Sequence, residues 1–186
     1  MTRWGFVRHG ESHANAEGWL AGHIDADLTQ QGRAQARALN LDASRWQRVV
    51  SSDLTRAWRT AALGIPGVRA PRVSALRERT IGAWDGRRVE ELRASGDFSL
   101  LLTWDGAPPQ GESNAMLARR VLGWLANQPE HDTLVFAHAG VIRSIVGLLD
   151  GVDRREIPLM KIANTQCLER EVASGTWSTL LGTLQT

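Results

Sequence analysis

Short apolar runs alternate with longer amphipathic ones along the chain, and that alternation already predicts an architecture. Gly5–Val7 reads as a first strand, and Thr29 is placed to cap a helix running to about Leu41 through "QQGRAQARALN". "RVVSS" (Arg48–Ser52) is a second strand, followed by a helix from Asp53 to about Leu63 that Gly64, Pro66 and Gly67 interrupt. A short strand is expected within Val68–Val73, a helix over "RRVEELRA", a loop at "DGAPPQG" and a longer helix over Ser113–Asn127. "TLVFA" (Thr133–Ala137) is the clearest buried strand, and "GVIRSIVGLL" after it is helical in pattern. Beyond Ile157 the strand-like stretches are Ile162–Val172 and Thr176–Leu181. No repeat or linker interrupts the series. It predicts one domain over residues 1–186, an α/β three-layer sandwich whose mostly parallel central sheet carries helices on both faces.

Composition narrows the function more than the fold. The chain has 186 residues, 42% hydrophobic and 23% charged, enough for one sizeable core. No apolar run reaches the roughly 18–20 residues that span a bilayer, and no secretory leader is recognisable, so a cytoplasmic protein without a membrane partner is expected. One cysteine, Cys167, excludes an internal disulfide framework and a cysteine-based zinc site. Lys161 is the sole lysine among basic residues that are otherwise arginine, and the net charge is only +2. The arginines form no aromatic-interleaved block, so nucleic acid is not an expected partner.

The candidate chemistry lies where three strands end. The first ends in Arg8-His9-Gly10-Glu11-Ser12, the second in Ser51-Ser52-Asp53 with Arg56 one turn into its helix, the third in His138-Ala139-Gly140. Ligands of parallel sheets sit beyond the carboxyl ends of the strands, so parallel neighbours would bring two arginines and two histidines together. The planar fork of arginine suits phosphate or carboxylate oxygens, and a helix N-terminus adds amide donors. Concentrated positive charge would keep the His9 imidazole neutral and nucleophilic. The pattern suits phosphoryl transfer and requires no metal: there is no H-E-x-x-H, and His23, Asp25 and Asp27 in "GHIDAD" read as a loop entering a helix. His13, His23 and His131 are expected to be exposed. Asp53, Asp85, Glu11 and Glu112 admit structural and site roles alike.

These residues resemble the histidine phosphatase superfamily, which includes the cofactor-dependent phosphoglycerate mutases. The resemblance rests on Arg8-His9-Gly10-Glu11-Ser12 with Asn15, on "DADLTQQG", "SSDLTRAWRTA", "LRERTIGAWDG", "PPQGES" and "VFAHAGVIR", in family order over roughly residues 3–145. It implies that His9 becomes a phosphohistidine, that Arg8, Arg56 and His138 bind the phosphoryl oxygens with Asn15 and the Ala139 backbone as helpers, and that Glu78 is the proton donor.

The departures point to a branch. Ala139 follows His138 where the acid-phosphatase and phytase branch has its acidic residue, which leaves the acid to Glu78. The mutases' longer insertion has no counterpart in the two dozen or so residues between Gly86 and "PPQGES". The small bacterial phosphatases, among them alpha-ribazole phosphatases, resemble the chain most, although Ala14 replaces a common tryptophan and Asp85 a common glutamate. A phosphomonoesterase acting on a small phosphorylated metabolite, with no cofactor, is therefore expected. A phosphoglycerate mutase and a non-catalytic phospho-ligand module are the alternatives, and a homodimer is left open.

Overall fold

The computed structural model describes residues 1–184. β1 (Thr2–Arg8) leads into a short helix α1 (His13–Glu17), and α2 (Gln30–Ala38) precedes β2 (Arg48–Ser52) and α3 (Thr55–Gly64). β3 (Arg72–Val73), α4 (Val89–Ser95) and α5 (Asn114–Leu125) follow. β4 (Thr133–Ala137), α6 (Ala139–Leu149), β5 (Cys167–Val172) and α7 (Thr176–Gly182) complete the series. The sheet order is β3-β2-β4-β1-β5, parallel except for β5, which runs antiparallel to β1.

The central strands are buried on both faces, which is why they read as continuous apolar runs. Trp4 and Phe6 of β1 and Val135 and Ala137 of β4 face one core with Leu117, Val121 and Leu122 of α5 and Val141, Ile142 and Ile145 of α6. Val7, Leu134 and Phe136 face the other, against Ala61 of α3 and Trp46. A third, smaller cluster of Ile81, Trp84, Leu92 and Leu101 holds the segment between β3 and α5 together. These are the expected three layers.

One element differs in kind. Thr176–Leu181, read as a strand, lies in helix α7. Trp177, Leu180, Leu181 and Leu184 recur at helical spacing, and all four pack on the first core. Trp177 meets Trp4 edge-on at 5.3 Å. The strand expected over Ile162–Val172 is confined to Cys167–Val172.

Candidate active site

β1 and β4 pair in parallel with Arg8 opposite Ala137, so His9 and His138 emerge side by side at the carboxyl edge of the sheet. Their ring centroids are 5.2 Å apart. The loop after β1 is fixed by its own polar groups. Ser12 caps α1 by accepting from the Asn15 amide, while the Asn15 side chain accepts from the Ser12 amide. The first turn of α2, capped by Thr29, lies against the loop. Gly10 and Gly32 allow this approach, because a Cβ on either would strike the backbone of the other segment. Thr60 of α3 accepts from the Gly10 amide at 3.0 Å and donates to the Arg56 carbonyl at 2.6 Å.

A cavity of about 340 Å³ opens over this edge, lined by Arg8, His9, Asn15, Arg56, Glu78 and Ala139. His9 is 4% exposed, and its Nδ1 lies 2.6 Å from the Gly10 carbonyl. A carbonyl only accepts, so Nδ1 carries the proton and Nε2 keeps its lone pair. Burial, then Arg56 and Arg8, hold His9 well below the usual histidine range, outweighing the Gly10 hydrogen bond, which acts upward. The ring is neutral at physiological pH.

His138 sits behind His9, fully buried, and is not part of the cavity wall. Its Nδ1 accepts from Arg56 Nε at 3.3 Å, so its Nε2 donates to Ser52 Oγ at 2.9 Å. His138 thus braces Arg56 in this arrangement. Arg56 also donates to the carbonyls of Ala21, Gly22 and Ile24, tying the loop before α2 to the site. Arg8 donates from Nη1 to the Ile162 carbonyl, and its buried Nε has no partner among the described residues.

The Glu78 carboxylate accepts from the Arg79 amide at 2.8 Å and the Gly140 amide at 2.9 Å. Burial pushes its pKa up, but Arg143 and these amides outweigh burial and leave it below the ordinary carboxylate range. The carboxyl is therefore ionised near neutral pH.

The remaining acidic residues are committed to structure. Asp53 pairs with Arg77 through both oxygens, Asp85 accepts from the Gly22 amide, Glu11 from Thr29 Oγ1, and Glu112 from Arg120 and the Thr80 amide. Asp25 caps the first turn of α3 through Thr55, and Asp27 pairs with Arg33 and Arg59. His23, expected to be exposed, is half-buried and bonds the Glu78 carbonyl at 2.9 Å. The "GHIDAD" segment therefore anchors neighbouring elements. Burial drives the Cys167 thiol up to about 11, so it stays protonated within β5.

Two further arginines, Arg79 and Arg143, line the cavity and were not singled out from the sequence as site residues. A signal existed for Arg143, which follows Ala139 by one helical turn and so shares its face. Arg79 stands in "LRERTIGAWDG", one of the segments that carry the family resemblance, directly after Glu78. Asn164, which donates to the His9 carbonyl, reaches the site from the tail without a sequence signal.

The chain is 34% identical over 175 residues to a protein of Methylobacterium radiotolerans named 2,3-bisphosphoglycerate-dependent phosphoglycerate mutase, covering 84% of this chain and 82% of the relative. A mycobacterial glucosyl-3-phosphoglycerate phosphatase structure matches with a TM-score of 0.81 at 26% identity, over 91% of this chain and 92% of that one. A protein of Thermus thermophilus matches with a TM-score of 0.75 at 33% identity, over 90% and 92%. Residues 5–183 match the histidine phosphatase superfamily, branch 1, and the chain belongs to that family.

Proposed function

We propose that the protein is a phosphomonoesterase that works through a phosphohistidine on His9. The observation that carries this reading is the fixed tautomer of His9, whose Nδ1–H is held by the Gly10 carbonyl so that Nε2 is the nucleophilic atom of a ring in the cavity wall. Arg8 and Arg56 flank it and would neutralise the transferring oxygens, the largest task in phosphoryl transfer.

In the first step Nε2 attacks phosphorus, the phosphorus–oxygen ester bond breaks, and Glu78 gives its proton to the leaving alkoxide. A phosphate monoester loses its second proton near pH 6, so a monoanionic substrate can bring that proton to the ionised Glu78. The resulting dianion beside the carboxyl then raises its pKa. In the second step Glu78 takes a proton from water as that water attacks phosphorus and the phosphorus–nitrogen bond breaks. Inorganic phosphate leaves and neutral His9 is restored. His138 contributes by holding Arg56, and Asn15, in the cavity wall, by accepting from the Ser12 amide and so fixing the loop after His9.

The mutase reading is favoured by the name of the Methylobacterium relative. Against it, residues 87–107 form only α4 and one short 3₁₀ segment, Asp97–Leu102. The test is to trap an acid-labile phosphoenzyme from labelled substrate and to measure phosphate release across a panel containing alpha-ribazole phosphate, phosphoglycerates, sugar phosphates and nucleotides, with and without EDTA. Hydrolysis that persists in EDTA and disappears in His9→Ala is expected. Exchange between 2- and 3-phosphoglycerate, dependent on the bisphosphate and faster than hydrolysis, would establish the mutase instead.

A further inference from the structure

Glu78 stands on a stretch of chain that no helix or strand supports. Residues 77–81 lie between two 3₁₀ turns, Ser74–Leu76 and Gly82–Trp84, and belong to neither. Backbone carbonyls in such a stretch have no ladder to join and must be met in another way.

One side chain meets three of them. Arg120 of α5 donates from Nη1 to the Ala75 carbonyl at 2.9 Å and the Arg77 carbonyl at 3.1 Å. From Nη2 it donates to the Glu78 carbonyl at 3.3 Å. Its Nε and Nη2 also donate to the two carboxylate oxygens of Glu112, at 2.8 and 2.7 Å. A guanidinium has five N–H donors in a fixed plane, and here all five are engaged. Glu112 closes the same stretch from its other end. Its Oε2 accepts from the Thr80 amide at 3.1 Å, and its own amide donates to the Thr80 carbonyl at 2.9 Å. The pair therefore grips the main chain on both sides of Glu78.

The product of this arrangement is orientation more than stability. The Arg120 and Glu112 side chains keep only 24% and 15% of their surface, and desolvation offsets much of the attraction of so sheltered an ion pair. Apolar packing could stabilise the fold as well, but it could not meet three carbonyls. Leu117, Val121 and Leu122 fix α5 in the core that it shares with α6, and α6 presents the Gly140 amide to Glu78 Oε2 at 2.9 Å. The carboxylate and the backbone that carries it are thus held by one packed pair of helices. Neither Arg120 nor Glu112 lines the cavity, so neither touches the substrate.

We infer that Arg120, braced by Glu112, is a positioning residue for the general acid. It holds the segment from Ala75 to Thr80 so that the Glu78 carboxyl stays within reach of the leaving oxygen. The inference rests on the reading of Glu78 as proton donor.

Arg120→Lys tests it, because a single ammonium keeps the charge but cannot span three carbonyls and a carboxylate. The substrates are glycerol 3-phosphate, whose alkoxide needs a proton to leave, and p-nitrophenyl phosphate, whose phenolate does not. Their kcat/KM values, which report the first transfer, are compared in the wild type, Arg120→Lys, Glu78→Gln and the double variant. Arg120→Lys should lower the value for glycerol 3-phosphate on the order of 10- to 100-fold and that for p-nitrophenyl phosphate by about 3-fold or less. In the Glu78→Gln background the lysine should cost glycerol 3-phosphate no more than about 3-fold further, because the group it positions is gone. Glu112→Gln keeps the shape of the side chain and removes its charge. It should show the same selective loss, and it decides alone if Arg120→Lys does not fold. No loss, an equal fall on both substrates, or a full further loss in the Glu78→Gln background overturns the positioning role and leaves Glu78 as the donor. A Glu78→Gln variant that hydrolyses glycerol 3-phosphate at the wild-type rate overturns the donor and the positioning role together.

Discussion

Gly140→Ala offers a way to displace Glu78 while leaving His9 and the arginines in place. Gly140 is the second residue of α6, in ordinary helical conformation, so alanine is tolerated by the backbone and adds a fraction of a kcal/mol to helix propensity. A Cβ there would lie 3.0 Å from Glu78 Cδ and 3.2 Å from Oε2, and would overlap Oε1 outright. Oε1 would have to retreat by roughly 1 Å, a misplacement of the size that costs on the order of 10²-fold in rate. General acid catalysis contributes about 10²–10⁴-fold in all, so a fall of about 10²–10³-fold is expected where the leaving group needs a proton. The assay sets an alkyl phosphate such as glycerol 3-phosphate beside p-nitrophenyl phosphate, whose phenolate leaves without protonation. The first should fall by the full factor and the second by about 10-fold or less. Folding stability should stay within about 1 kcal/mol. A variant that folds normally and hydrolyses the alkyl phosphate at the wild-type rate, or loses both substrates equally, refutes the assignment of Glu78 as proton donor.

Two further predictions concern the framework of the site. His9 and His138 are both held well below the usual histidine value, chiefly by burial and then by Arg56, so the unfolded chain takes up protons that the folded chain refuses. Their contribution to stability is complete above about pH 6.5 and declines as pH falls below it, by roughly 1.4 kcal/mol per pH unit for each ring. Thermal unfolding between pH 7 and 5 should show a falling midpoint, and a flat midpoint would contradict the burial of both rings as neutral species. Thr60→Val removes the acceptor of the Gly10 amide and should cost about 1–3 kcal/mol in urea denaturation. It should also lower kcat on the order of 10-fold with a smaller change in KM, because the loop carrying His9 loses its tether. Thr60→Ser should restore both, and a kcat unchanged in the valine variant would count against the tether.

Much of the fold was legible because the signals are local. The apolar runs of β1, β2 and β4 and the cap Thr29 lie within a few residues of the elements they define, and each of these elements formed where it was expected. The tail was less clear, since "TWSTLLG" is short and its apolar residues fit either period until a core is there to receive them. A surface for Trp177, Leu180, Leu181 and Leu184 exists only once α5 and β1 have come together. Tertiary packing then selects the helix.

For the site, the sequence by itself determined which polar side chains would share one edge, because Arg8-His9-Gly10 and His138-Ala139-Gly140 end two apolar strands and parallel pairing leaves them side by side. What it could not determine was how the polar groups would be divided among partners. Asp25 meets Thr55 across 30 residues, Arg56 meets His138 across 82, and Glu78 meets the Gly140 amide across 62. Each such pairing decides whether a side chain braces the fold or faces the cavity. That is why His138 moved behind the wall while Arg79 and Arg143 emerged on it. Hydrogen-bond satisfaction is settled only when distant segments meet, and no local pattern encodes which donors will be left over.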